Sequence, residues 1–178
     1  FPKVARWNED PQTICQARQD SLTTGVEVFE RFFAREAARA EASRPPFELV
    51  QAHLGLAQLL AYQGAMARAV EHYGKAYELA QAVPAVLPQV EEMLGVAHLH
   101  KSGMDSGVFR QPTDLCLLPP PAGRAYARTA DAERASALFA RYLERRPESL
   151  EVRWLLNLSH MVLGTYPDGV PAAQRIAP

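Results

Sequence analysis

The chain has 178 residues, 48% of them apolar and 22% charged, with 19 basic and 20 acidic side chains and a net charge of -1. That length can bury one good core and the composition argues against disorder, while the near-zero charge and scattered arginines give no electrostatic footprint for nucleic acid. No apolar run approaches the roughly 20 residues that cross a bilayer as a helix.

Residues 1–10 read as an extended arm. Asp10-Pro11 then supplies a capping carboxylate followed by the one residue that needs no amide hydrogen, so a short helix is expected from there to about Ser21. Thr23-Thr24-Gly25 is expected to break it. A second helix carries Phe29, Phe32, Phe33, Ala37 and Ala40 on one stripe, with Glu36 narrowing the stripe near the edge of the buried face. Pro45-Pro46 closes this N-terminal part, residues 11–44, and opens a helix pair.

In that pair Leu49, His53, Leu56, Ala57 and Leu60 form the inner face of the first helix. Gly64 allows the tight turn, and Ala69, Val70, Tyr73, Ala76, Tyr77 and Ala80 form the inner face of the second. Small residues at 57, 69 and 76 let the axes approach while Leu60 and Tyr73 fill the space between. A further helix is expected from about Pro88 to Lys101, capped by Ser102-Gly103. From 102 to 128 the helical period lapses, and Pro119-Pro120-Pro121 forbids a helix in the middle. So long an irregular stretch is a functional loop or packs its Leu115-Cys116-Leu117-Leu118 core against the helices, the second being favoured. Helix resumes at Thr129 with the stripe Ala135, Leu138, Phe139, Tyr142 and Leu143. The last helix runs from Ser149 to about Leu163 and stops at Gly164 and Pro167, leaving 165–178 as an extended tail.

The small and large residues from His53 to Ala76, then Ala135, Phe139, Tyr142 and Pro147, then Leu156 and Gly164, keep a period of about 34 residues. This is the spacing of tetratricopeptide repeats. The expected fold is all-α: tetratricopeptide-like antiparallel hairpins in a short α-solenoid, one domain over 1–178, with a long Pro-rich insertion. Such folds present surface more often than chemistry.

A search for chemistry agrees. His98 and His100 are two apart and point to different sides of a helix, so they cannot chelate one ion. Glu91-Glu92 is placed on a solvated face, His160 packs in the repeat, and no phosphate loop, nucleophile elbow or metal motif occurs. The expectation is no enzyme, no cofactor and no metal. The remaining site type is a concave groove lined by Gln51, Leu54, Gly55, Gln58 and Tyr62. It lacks the Lys and Asn that clamp a terminal carboxylate, so no preference for acidic tails is expected. On the last helix Val152, Leu155, Leu156, Ser159 and Leu163 face one way, and Trp154, Leu158 and Met161 face another. A helix apolar on two sides is covered on two sides. Trp154, Leu158 and Met161, with Tyr166 and Pro167 in the turn that follows, are therefore candidate partner-binding residues, alongside Leu54, Gln58 and Tyr62. The alternative is that the 102–128 loop folds back over them.

Two stretches, Leu94 to Pro121 and Leu150 to Pro178, carry a more specific likeness. With the run W-L-L-N-L-x-x-M-x-L-G-x-Y-P-D-G-V-P from Trp154 to Pro171 at its centre, they resemble the tetratricopeptide region that precedes the FG-GAP/VCBS β-propeller in exported bacterial proteins of the ASPIC/UnbV type. Two features depart from that pattern: the Asp-rich propeller repeats are absent, and His160 stands where an aromatic residue is expected. The resemblance implies a periplasmic or cell-surface location and a non-catalytic scaffold that docks a β-propeller or another subunit of an exported assembly. The alternative is an accessory subunit of a larger envelope or redox complex. The residues alone leave Cys15 and Cys116 open between two thiols and one bridge. The oxidising compartment that the resemblance implies favours a Cys15–Cys116 disulfide.

Overall fold

The computed structural model describes residues 10–38, 46–108 and 126–176. Helices make up 77% of them and none is in a strand, so the fold is all-α with adjacent helices packed in pairs. The helices are α1 (Pro11–Ala37), α2 (Pro46–Tyr62), α3 (Met66–Ala80), α4 (Leu87–Asp105), α5 (Ala130–Arg145) and α6 (Leu150–Val162), followed by a 3-10 turn at Ala172–Gln174. They fall into two compact units, one ending at Ala82 and one beginning at Val83.

In the N-terminal unit, α1 begins as the sequence requires. The Asp10 carboxylate accepts from the amides of Gln12 (2.9 Å) and Thr13 (3.3 Å), and Pro11 takes the first helical position. The expected break at 23–25 does not occur. Thr23 and Thr24 turn their hydroxyls back to the carbonyls of Gln19 (3.0 Å) and Asp20 (2.9 Å), which satisfies them inside a helix. Gly25 is there for packing. A Cβ at this position would sit 2.8 Å from Leu59 of α2, and one at Gly55 of α2 would sit 2.6 Å from Phe29 of α1. Each glycine thus admits a large side chain of the facing helix. Glu36 is buried rather than at the edge.

The α2–α3 hairpin is built as the small and large residues dictate: Val50, Leu56, Ala57, Leu60, Ala69, Ala76 and Ala80 are all inaccessible or nearly so. Gly64 turns the chain at φ +77°, with its amide bonded to Ala61 O (3.0 Å) and the next amide, of Ala65, to Leu60 O (2.9 Å). That left-handed residue closes the orphan carbonyls at the helix end.

In the C-terminal unit, α4 runs past the expected stop. Ser102 and Gly103 are buried within it, and the capping residue is Gly107 at φ +78°. The Gly107 amide reaches Met104 O (3.1 Å) and the Val108 amide reaches Gly103 O (3.0 Å), with Val108 buried beneath. Helices α4 and α5 approach at Gly95, where a Cβ would lie 2.5 Å from the ring of Phe139. Phe139 in turn packs with Ala135, Leu143, Val152, Leu156 and Val170 in the core shared with α6. Ser149 caps α6 by accepting from the amide of Val152 (3.3 Å).

The stretch after α6 folds back and is not an extended tail. Gly164 (φ +70°) repeats the cap seen at Gly64 and Gly107, Tyr166–Pro167 is a cis peptide, and Val170 is 1% exposed. Asn157, itself buried, holds this segment. Its amide donates to Arg153 O and Gln174 O, both at 2.8 Å, and its oxygen accepts from the Ile176 amide at 3.1 Å.

Candidate functional site

The sequence-derived interaction residues separate into those that stay accessible and those the fold consumes. On α6, Leu150 and Trp154 are 72% and 55% exposed, and Leu158 and Met161 are half-buried. With 3.6 residues per turn these four share about 80° of the helix circumference. The opposite side carries Val152, Leu156, Ser159 and Val162, all inaccessible. Leu150 went unnoticed in the sequence, although its place four residues before Trp154 extends the same stripe by one turn.

Tyr166 and Pro167 are half-buried. The Tyr166 ring packs against the Phe139 core and its hydroxyl donates to Ile176 O at 2.7 Å, while Pro167 O accepts from the Val170 amide at 3.2 Å. The returning segment also takes up the Arg153–Asn157 side of α6. Arg153 bonds Gln174 Oε1 (3.1 Å) and Pro147 O (2.8 Å). Trp154 stands beside that wall.

In the N-terminal unit the residues of the expected groove divide between core and surface. Leu54 is 6% exposed and belongs to the core, and Phe29 of α1 occupies the space above Gly55. Gln58 and Tyr62 remain accessible, Tyr62 at 59%, with Phe47 at 50% near the start of the same helix. Cys15 is exposed on α1, while Cys116 and the 115–118 apolar core lie outside the described residues.

The polar residues sit at helix junctions. Glu91, expected in solvent, is 1% exposed and forms an ion pair with Arg145 of α5. Burial pushes the Glu92 carboxyl above its ordinary value, and the Glu151 charge adds to this. His98 is also buried, with Nδ1 2.7 Å from Asp131 Oδ1. Burial lowers its pKa against the pull of Asp131, so the ring is neutral near pH 7 and donates its Nδ1 hydrogen to the carboxylate. Lys101 Nζ binds the other oxygen of Asp131 (2.7 Å) and also Asp105 (2.6 Å), which raises the lysine's pKa. Burial works to raise the Asp131 pKa, but the bonds from Lys101 and His98 outweigh it and hold the carboxyl low. The contacts of His98 and Lys101 with Asp131 join positions 33 and 30 residues apart, and no local spacing announces them.

His160 meets Ser136 Oγ through Nε2 (3.2 Å) and Thr165 Oγ1 through Nδ1 (2.8 Å). The order hydroxyl, imidazole, hydroxyl looks like a nucleophile with its base, but Thr165 is neutral and provides no charge to stabilise an imidazolium. Burial lowers the His160 pKa, as suits a packed ring. Among the described residues no group of three or more His, Cys, Asp or Glu side chains is placed to hold a metal ion, and no helix is long and apolar enough to cross a membrane.

Known proteins add nothing to this geometry. No family model, curated protein or solved structure matches the chain.

Proposed function

We propose that this protein is a non-catalytic scaffold of the tetratricopeptide type that works by protein–protein contact through α6. The observation that carries the reading is the exposure of Leu150 and Trp154 on a helix whose opposite side is fully packed. Hot spots of protein interfaces are enriched in Trp, Tyr and Arg, and Trp154 is such an anchor, with Leu150 adding apolar area beside it. The run from Trp154 to Pro171, with its likeness to the region before an FG-GAP/VCBS propeller, supports a β-propeller domain or another subunit as the partner. It equally supports a periplasmic or cell-surface setting.

The test is affinity capture of the tagged chain from its native cells, with and without Trp154→Glu. Capture of a stoichiometric partner by the wild type, and its loss in the variant at unchanged helicity by circular dichroism, is the expected result. A partner retained in full by the variant refutes the role of α6. Stoichiometric metal or cofactor in the purified protein, by elemental analysis and mass spectrometry, would favour an enzyme instead.

A further inference from the structure

Three rings from three helices meet inside the N-terminal unit: Phe33 of α1, His53 of α2 and His72 of α3. The Nδ1 atoms of the two histidines are 2.9 Å apart while their ring centroids are 5.2 Å apart, so the rings meet head-on. Phe33 stacks on His53 at 4.3 Å with an interplanar angle of 25°, and lies 5.9 Å from His72. Two imidazole nitrogens at this distance need one donor and one acceptor, so one ring carries its hydrogen on Nδ1 and the other offers a lone pair there.

Proton counting then decides what acid does. A first added proton goes to the far nitrogen, Nε2, of the donating ring and leaves the N–H···N bond intact. A second can go only onto the accepting Nδ1. It places two N–H groups and two positive charges face to face, and the bond is lost.

The acidic groups that face the pair relieve this only in part, because each is already engaged by a cation. Glu30 faces the pair from α1, and Arg68, Glu71 and Lys75 face it from α3. Those four pair among themselves, Glu30 with Arg68 at 2.9 Å and Glu71 with Lys75 at 2.6 Å. Burial, then the charges of His72 and Lys75, lowers His53 to about 4, and burial lowers His72 as well.

We propose that the His53–His72 pair, with Phe33 stacked on it, is an acid-operated latch whose double protonation parts α2 from α3 at this point and frees α1 from the hairpin. Once the unit opens, both rings return to the ordinary histidine value near 6.5. The open form therefore binds more protons than the closed one. The latch is fully effective above about pH 6.5 and is lost as the pH falls toward 4. From the two His53 values alone, the opening equilibrium rises about 30-fold between about pH 8 and about pH 5, and His72 adds to it in the same direction.

Hydrogen exchange of the full chain, corrected for the intrinsic pH dependence of the exchange rate, reads this directly on the amides of α1 to α3. The control is His53→Gln with His72→Gln, since two carboxamides can keep a hydrogen bond across the same gap and do not titrate. Wild type should lose about 30-fold or more of its protection over that pH range, and the double variant should not. Unchanged protection in wild type overturns the latch. So does an equal loss in the variant, which would put the acid response on groups outside the pair. If the variant does not fold, a proton NMR titration of wild type decides: Phe33 ring signals should move as the two histidines titrate. Signals that stay put through that titration overturn the proposal.

Discussion

Replacing glycine by alanine at three helical positions should move stability in three different ways, because the space around each differs. Alanine is favoured over glycine in a helix interior by about 0.8–1.0 kcal/mol. At Gly74 of α3 a Cβ would meet nothing within 4 Å, so that gain stands uncorrected. At Gly55 the new methyl would meet Phe29 Cζ at 2.6 Å, but this is the far end of a half-exposed side chain that can swing aside, and the two effects should nearly cancel. At Gly95 the obstacle is the edge of Phe139, with three ring atoms within 3.0 Å on a residue of zero exposure. That ring has nowhere to go, so α4 and α5 must separate. Overpacking usually costs about 1–3 kcal/mol, and a ring with no room to move puts this site in the upper part of that range, about 2–3 kcal/mol, which leaves Gly95→Ala less stable by about 1–2 kcal/mol after the helical gain.

Urea denaturation followed by circular dichroism measures all three, with hydrogen exchange assigning each change to its own unit. For units of this size about 1 kcal/mol corresponds to a shift of roughly 4–8 °C in Tm. Gly74→Ala should therefore melt several degrees higher and Gly95→Ala several degrees lower. A Gly95→Ala protein as stable as wild type would mean that α4 and α5 do not touch through Phe139, and the packing argument for the C-terminal unit would fail with it.

Two further outcomes follow from buried polar groups. Arg145→Ala leaves the buried Glu91 carboxylate without its partner; the Arg145 side chain is itself 40% exposed, so water replaces it in part and the cost is about 1–3 kcal/mol, most of which adding Glu91→Leu should recover. A double variant as unstable in urea as the single one would show that the pair is not what matters there. Asn157→Ala removes three hydrogen bonds at once and leaves Gln174 O and the Ile176 amide unpaired, for about 1–3 kcal/mol. Limited proteolysis should then cut near residues 172–176 much faster than in wild type, and an unchanged rate would refute the role of Asn157 as the staple of this segment.

What could be read from the sequence was whatever local pattern determines. The Asp10 cap, the alternation of small and large residues in α2 and α3, the stripe of α5 and the two-sided apolar character of α6 are all set by residues within one or two turns of each other. The misreadings arose where distant contacts outweigh local preference. Thr23-Thr24-Gly25 is a poor helical run that α1 keeps because Leu59 fills the space over Gly25 and the hydroxyls find carbonyls one turn back. Gly103 and Gly107 are both plausible ends for α4, and the burial of Ser102 and Gly103 under their neighbours selects the later one. Glu91 reads as solvated because its cation lies 54 residues on, and Gly55 reads as groove-lining because nothing nearby announces that Phe29 of α1 fills the space above it.

The candidate site shows the same division more sharply. A buried polar group or an exposed large apolar one is the informative exception to ordinary burial, and this chain places the two kinds apart. Its histidines and acids, the residues that a search for catalysis selects, join helix to helix: His53 to His72, His98 and Lys101 to Asp131, Glu91 to Arg145, His160 to Ser136. Leu150 and Trp154, the residues that a search for a core selects, stand in solvent. Phe139 and Val170 pin one side of α6 and the Asn157 bonds pin another, so the backbone that carries Trp154 is held on both sides. If α6 is the docking surface we propose, a Trp154 carried on so fixed a backbone loses little main-chain freedom on binding, which lowers the cost of association.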